Sequence, residues 1–262
     1  MILKRDPASH KTDNGVVAVV GGSSTMHGAP IFAALAAEAS GVDLVHVFLP
    51  RVHQDVARSR SLNFIVHSFN SDNLEESDRG RVLELLANMD CAVLGPGISL
   101  DKESTKVVSA IVAEASCPLV LDASALQPET LDLVKKKQMI LTPHLGELER
   151  MGVNPENLSE TAKKNGVTIF LKGQTDRIAL PDGSIETVKG GNAGLTVGGT
   201  GDALAGLICG LKAQGLEGGE SCAIAGSIIK NAGEALFKEK GYAYTTEDII
   251  DQIPKLLTSY IE

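Results

Sequence analysis

The chain has 262 residues, 43% hydrophobic and 22% charged, with a formal net charge of −9 at pH 7. That length suits one large α/β domain, expected to run over 1–262 without a dividing linker. The acidic balance, with basic residues scattered apart from Lys135-Lys136-Lys137, offers no electrostatic footprint for nucleic acid, and the lysine run reads as a solvated helix end.

Residues 1–14 are polar and hold no signal-peptide core. The apolar stretch Ala223 to Phe237 is broken by Lys230, Asn231 and Glu234 and is too short to span a bilayer, so no membrane partner is expected. Cys91, Cys117, Cys209 and Cys222 form no metal-ligand spacing and read as buried hydrophobes in a reducing, cytoplasmic setting.

Nearly continuous apolar runs predict buried strands at Val16 to Val20, Leu44 to Phe48, Phe64 to His67, Cys91 to Leu94, Leu119 to Leu121, Met139 to Leu141 and Thr168 to Leu171. Helical patterns lie between several of them, at Ala29 to Ser40, Asp78 to Met89, Lys102 to Ala115 and Pro128 to Lys137, with Pro128 in a first turn. This alternation implies right-handed βαβ units and a mostly parallel central sheet covered by helices on both faces. Ile178 to Leu180 and Ile185 to Val188 flank the turn sequence Pro181-Asp182-Gly183, which predicts a small antiparallel hairpin at one end. Helices starting near Asp202, Gly219 and Thr246 close the chain, and their apolar faces offer an interface for a homo-oligomer.

Ligands of open parallel sheets bind beyond the carboxyl ends of the strands, so the residues that follow each strand are diagnostic. Here they are Gly21-Gly22-Ser23-Ser24, Gly95-Pro96-Gly97, Asp122-Ala123-Ser124, Thr142-Pro143-His144 and Lys172-Gly173-Gln174-Thr175, which concentrates polar and glycine-rich groups on one edge. The first lacks Gly-x-Gly-x-x-Gly spacing and is a capped turn or a substrate-approach loop, with Gly28 and Ala29 small where a ligand would come close. Gly95-Pro96-Gly97 alone signals only a sharp turn. His144 and Glu147, three apart at a helix start, form either a capping box or a substrate and metal (or phosphate-water) contact. Lys172 is either a point charge for a polyphosphate or a solvated strand end.

The run from Lys189 to Asp202 is rich in glycine and includes Asn192-Ala193-Gly194, so it suits a loop whose amides turn toward a ligand. It ends in Gly198-Gly199-Thr200-Gly201-Asp202 at the start of an apolar helix. Helix N-termini hold anions, and an aspartate there is a cap or a base beside a transferring phosphoryl group. No P-loop, His-Glu-x-x-His or Gly-x-Ser-x-Gly occurs.

Together, Gly21-Gly22-Ser23 with Gly28-Ala29, Gly95-Pro96-Gly97, Leu119-Val120-Leu121-Asp122-Ala123, Thr142-Pro143-His144-x-x-Glu147, Lys172-Gly173, Gly191-Asn192-x-Gly194 and Gly198-Gly199-Thr200-Gly201-Asp202-x-Leu204-Ala205-Gly206 resemble the ribokinase-like superfamily. Within it the chain is similar to the ADP- or ATP-dependent NAD(P)H-hydrate dehydratases, over most of its length from Gly21 to about Glu234. The resemblance implies a three-layer ribokinase-like fold. It also implies that Ala29, Gly97 and His144 contact the hydrated nicotinamide nucleotide, and that Asp202 acts at the hydrate. Lys172, Gly173, Gln174, Thr175, Asp176, Asn192, Gly199, Thr200 and Gly201 would hold ADP or ATP, with Mg²⁺ and Glu147 at the phosphates. Ser124 departs from the family, which usually shows a second aspartate there. A separate NAD(P)H-hydrate epimerase is the partner enzyme implied. A small-molecule kinase of the same fold and a non-catalytic nucleotide sensor are the competing readings.

Overall fold

A computed structural model describes residues 3–134 and 138–261; the Lys135 to Lys137 helix end falls outside them. Strand β1 (Val16–Val20) shows why the sheet is central. Its residues point alternately to opposite faces, and both faces are apolar: Val17 and Val19 join one core, and Val16, Ala18 and Val20 the other. The remaining strands are β2 (Leu44–Leu49), β3 (Phe64–Ser68), β4 (Cys91–Leu94), β5 (Leu119–Leu121), β6 (Met139–Leu141), β7 (Thr168–Leu171), β8 (Asp176–Ala179) and β9 (Ile185–Val188). They form one sheet in the order β3-β2-β1-β4-β5-β6-β7-β8-β9. Strands β1 to β7 pair in parallel, and β8 and β9 add the antiparallel end that the Pro181-Asp182-Gly183 turn predicts.

Helices α1 (Gly28–Ala39), α8 (Thr200–Ala213), α9 (Gly218–Lys240) and α10 (Thr246–Leu257) cover one face. The other face is covered by α3 (Glu76–Leu86), α4 (Lys102–Glu114), α6 (Leu145–Arg150) and α7 (Leu158–Asn165). Among the described residues no helix is long and apolar enough to cross a membrane. The apolar residues of α8, α9 and α10 are buried within the chain, and the ring pair Phe237 and Tyr242 is left exposed near the end of α9.

Several sequence expectations need correction. A helix, α2 (Gln54–Arg60), lies between β2 and β3 where none is expected; it is polar and buries only Ala57, so it carries no apolar periodicity. Helix α3 begins two residues earlier than expected because Glu75 caps it, with Asp78 closing a capping box. The Pro128 to Lys137 pattern yields the short α5 (Thr130–Leu133). Pro128 sits in the turn before it, and the Thr130 hydroxyl accepts from Gln127 N–H and donates to the Ala125 carbonyl. Helix α7 is also unforeseen. Strand β8 starts at Asp176 rather than Ile178, which takes Asp176 out of the preceding loop.

The chain reverses direction across the sheet at β1: β2 and β3 lie to one side of it, β4 to the other. The connections that follow β1 and β4 therefore run to opposite sides, which is where the crevice of an open α/β sheet is expected. Behind that crevice α1 and α8 pack closely through small residues. A Cβ on Gly206 would overlap the Ala33 carbonyl, and one on Gly210 would overlap the Ser40 hydroxyl. Gly206→Ala is expected to lower stability by about 3 kcal/mol, because the neighbour is backbone and cannot move aside cheaply. Urea unfolding checks this.

Candidate active site

The crevice wall is built by backbone proximity. Gly22 N–H donates to the Pro96 carbonyl at 2.8 Å, which ties the β1 loop to the β4 loop. Gly95 has φ of +122°, and a side chain there would overlap the Asp122 carbonyl, so only glycine fits. A Cβ on Gly97 would lie 3.2 Å from the Ala29 Cβ and 3.1 Å from that of Met26. Ala29 and Gly97, assigned to one ligand by resemblance, are thus neighbours. The unusual Ser124 is buried and donates to the Ile98 carbonyl at 2.6 Å, fixing this same loop.

Beyond the wall lies a charged centre. Lys172, at the end of β7, has its Nζ 2.8 Å from Asp122 Oδ1 and 3.7 Å from Glu147 Oε2. Asp122 also accepts from the Thr142 hydroxyl at 2.8 Å and is buried. His144 and Glu147 do form the capping box: Glu147 N–H donates to His144 Nδ1 at 3.2 Å, and His144 N–H to Glu147 Oε2 at 2.9 Å. The His144 ring stays exposed, and Glu147 also faces Lys172, so the capping role and a place in the cluster coexist. Burial alone would lower the Lys172 pKa, but Asp122 and Glu147 hold it above its usual range.

Asp202 sits in the first turn of α8, partly buried. Among the described residues no hydrogen bond reaches its carboxylate. Burial, reinforced by the negative charges of Asp122 and Glu147 and opposed by Lys172, raises its pKa to about 7. Around it lies a set of unused donors. Among the described residues, the N–H groups of Gly198, Gly199, Gly201 and Asp202 meet no protein acceptor. Gly199 is the N-cap residue with φ of +101°, and a side chain on it would strike the Phe32 ring. The Thr246 hydroxyl anchors this turn from α10, donating to the Gly198 carbonyl at 2.8 Å.

A cavity of about 850 Å³ opens on the other side of Lys172, a size suited to a nucleotide. Of the sequence-predicted residues, His144, Lys172, Gly173, Gln174, Asp176, Asn192, Thr200 and Gly201 line it; Ala29, Gly97, Glu147, Thr175, Gly199 and Asp202 do not. Lys172 and Gly201 mark the boundary between the two halves, since a Cβ on Gly201 would lie 3.4 Å from Lys172 Nζ.

Sequence reading missed Lys230, which lines the cavity from α9, although a lysine inside an apolar helix was a usable signal. It also missed Tyr244, whose hydroxyl donates to Asn192 Oδ1 at 2.7 Å. Asn192 Oδ1 in turn accepts from Gly194 N–H, so the Tyr244 bond holds the glycine loop through Asn192. Among the described residues no group of three or more His, Cys, Asp or Glu side chains is arranged to hold a metal ion.

A mostly parallel sheet between two helical layers, with unaccepted amides and an aspartate at one helix start, places the protein in the ribokinase-like class. Residues 17–255 match the NAD(P)H-hydrate dehydratase family, and the chain belongs to it. It is 36% identical to an ADP-dependent (S)-NAD(P)H-hydrate dehydratase of Nitrosopumilus maritimus over 99% of this chain and 94% of the relative. It is 38% identical to a bifunctional NAD(P)H-hydrate repair enzyme of Methanocaldococcus jannaschii over 98% of this chain, spanning 50% of that longer protein. The solved ADP/ATP-dependent NAD(P)H-hydrate dehydratase of Bacillus subtilis, co-crystallised with ATP and Mg²⁺, superposes with a TM-score of 0.82 at 26% identity, covering 98% of this chain and 93% of that one.

The raised pKa of Asp202 has a consequence for stability. Its carboxyl ionises less readily in the folded than in the unfolded chain, so native stability falls as pH rises from about 4 toward 7 and then levels. Asp202→Asn removes that loss. Urea unfolding is expected to show the variant close to the parent at about pH 4 and more stable than it at about pH 8.

Proposed function

We propose that this chain restores NADH and NADPH from their hydrates (NADHX and NADPHX), transferring a phosphoryl group from ADP or ATP to the hydrate hydroxyl and then eliminating phosphate. The observation that carries this is Asp202, a carboxylate without a protein hydrogen bond among the described residues, beside amides that have no acceptor. Asp202 takes the hydroxyl proton as the oxygen bonds to the terminal phosphorus of the donor. The bond from that phosphorus to the donor breaks, and the Gly198, Gly199, Gly201 and Asp202 amides hold the transferring oxygens. Phosphate is a better leaving group than hydroxide. It departs as the ring nitrogen's electron pair moves in, and loss of a proton from the neighbouring ring carbon restores the double bond.

Ala29 and Gly97 would position the hydrate in the crevice, and His144 would meet it from the cavity side of Lys172. Lys172, Gly173, Gln174, Asp176, Asn192, Thr200 and Gly201 would form the donor side, with Thr175 and Gly199 completing the two loops. The name of the Nitrosopumilus relative supports ADP as donor. Three carboxylates around one lysine leave a surplus of negative charge that suits Mg²⁺ carried on the nucleotide phosphates, and Glu147 would be the residue to face it. Bound there, Mg²⁺ would offset charge on the transferring phosphoryl group.

The (S) in the relative's name supports a further partner. An enzyme that reads one epimer depends on a separate NAD(P)H-hydrate epimerase to convert the other. Four free, buried cysteines suit a cytoplasmic setting, and the exposed Phe237 and Tyr242 rings, 4.8 Å apart, support a homo-oligomer.

The test is an activity matrix of ADP and ATP against NADHX and NADPHX, read as returning absorbance of the reduced ring. Asp202→Asn is expected to fold and to lose about 10²- to 10⁴-fold in rate. A folded variant that repairs at the parent rate overturns the assignment. Accumulation of a stable phosphate ester, rather than reduced nucleotide, would favour the small-molecule kinase.

A further inference from the structure

Lys230 is only 5% exposed, in the middle of α9, and the chemistry proposed above gives it no part. Its Nζ lies 3.2 Å from the Gly173 carbonyl, 3.0 Å from that of Gln174, 3.5 Å from that of Gly190 and 3.3 Å from Asp176 Oδ2. An ammonium has three donors, so these four oxygens saturate it and leave nothing to offer a phosphate. The three carbonyls come from two loops, the turn between β7 and β8 and the glycine run after β9, and the carboxylate from the first residue of β8.

One turn further along α9 the contacts continue. Glu234 Oε1 accepts from Gly191 N–H at 2.9 Å, and the Gly233 carbonyl accepts from Asn192 Nδ2 at 2.7 Å. Residues 230, 233 and 234 share one helix face, so a single rigid element grips both loops. Asp176, which lines the cavity, is itself engaged by this clamp: it accepts from Gly173 N–H at 2.9 Å and pairs with Lys230. Burial pushes its pKa up, against the pull of Gly173 N–H and Lys230.

In a trans peptide the carbonyl and the next N–H point in opposite directions. Drawing the Gly173 and Gln174 carbonyls to Lys230 therefore turns the N–H groups of Gln174 and Thr175 away from it. Among the described residues neither N–H meets a protein acceptor. We propose that Lys230 is a positioning residue that clamps three backbone carbonyls and so presets the free amide edge of the donor-nucleotide loops. This rests on the adenine-nucleotide reading of the cavity. Lys230 acts through the backbone and touches no reacting atom.

The experiment measures ADP binding by calorimetry, together with the KM for the hydrate, on the full chain. Lys230→Met is expected to weaken ADP binding by about 10- to 100-fold while leaving the hydrate KM within about twofold. Lys230→Arg keeps the charge beside Asp176, and so the fold, but its planar fork cannot place one nitrogen among four oxygens. It is expected to weaken ADP binding as well, without a fall in Tm, which a purely structural ion pair would not produce. Parent-like ADP binding in Lys230→Arg, or in a folded Lys230→Met, overturns the proposal. Wild-type protein that fails to bind ADP overturns the donor reading instead.

Discussion

The contact of α1 with α8 sets the spacing of everything at the site. Both helices begin at the ligand edge: α1 with Gly28 and Ala29, α8 with the unaccepted amides and Asp202. Where they meet, Gly206 and Gly210 lie against the Ala33 carbonyl and the Ser40 side chain, leaving no room for a methyl group. The start of α1 and the unaccepted amides of α8 are thus placed relative to each other by a backbone contact, which flexes less than a side-chain contact would.

On that frame the electrostatics follow from burial and count. Asp122, Glu147 and Asp202 share a single ammonium at Lys172, and Asp122 takes the shortest contact. Asp202 is left partly desolvated, with two negative neighbours and no donor of its own among the described residues, and its pKa rises to about 7. A carboxylate in that state is a competent base near neutral pH. Thr142 and the capping pair of His144 with Glu147 keep the other two carboxylates engaged, so Asp202 is the member of the cluster free to move a proton.

Strands β1, β4, β5, β6 and β7 were legible in the sequence because each is a buried apolar run, and the hairpin because Pro181-Asp182-Gly183 marks its turn. Helix α2 was not: it is polar, buries only Ala57 and leaves no apolar period to detect. At the site, Asp202 and the glycine turn were visible because so many glycines gathered just before a helix start are more than a cap needs. Lys230 left only the cue of a lysine in an apolar helix; its partners were hidden, because three of the four are carbonyl oxygens, which every residue type supplies. Tyr244 and Thr246 were hidden for a different reason: they reach Asn192 and Gly198 from about fifty residues away, a pairing that only the folded chain shows.

The antiparallel end of the sheet carries an implication about parity. A parallel crossover returns to the ligand edge only after a whole helix, whereas β8 and β9 leave that edge and come back within a short hairpin. The exits of β7 and β9 therefore stand two strand spacings apart, roughly 9.5 Å, with no intervening helix to shield them. A single side chain from α9 spans that gap. The cavity beside Lys172 is thus framed by the chain between 172 and 201 together with α9, on a different part of the sheet from the loops after β1 and β4.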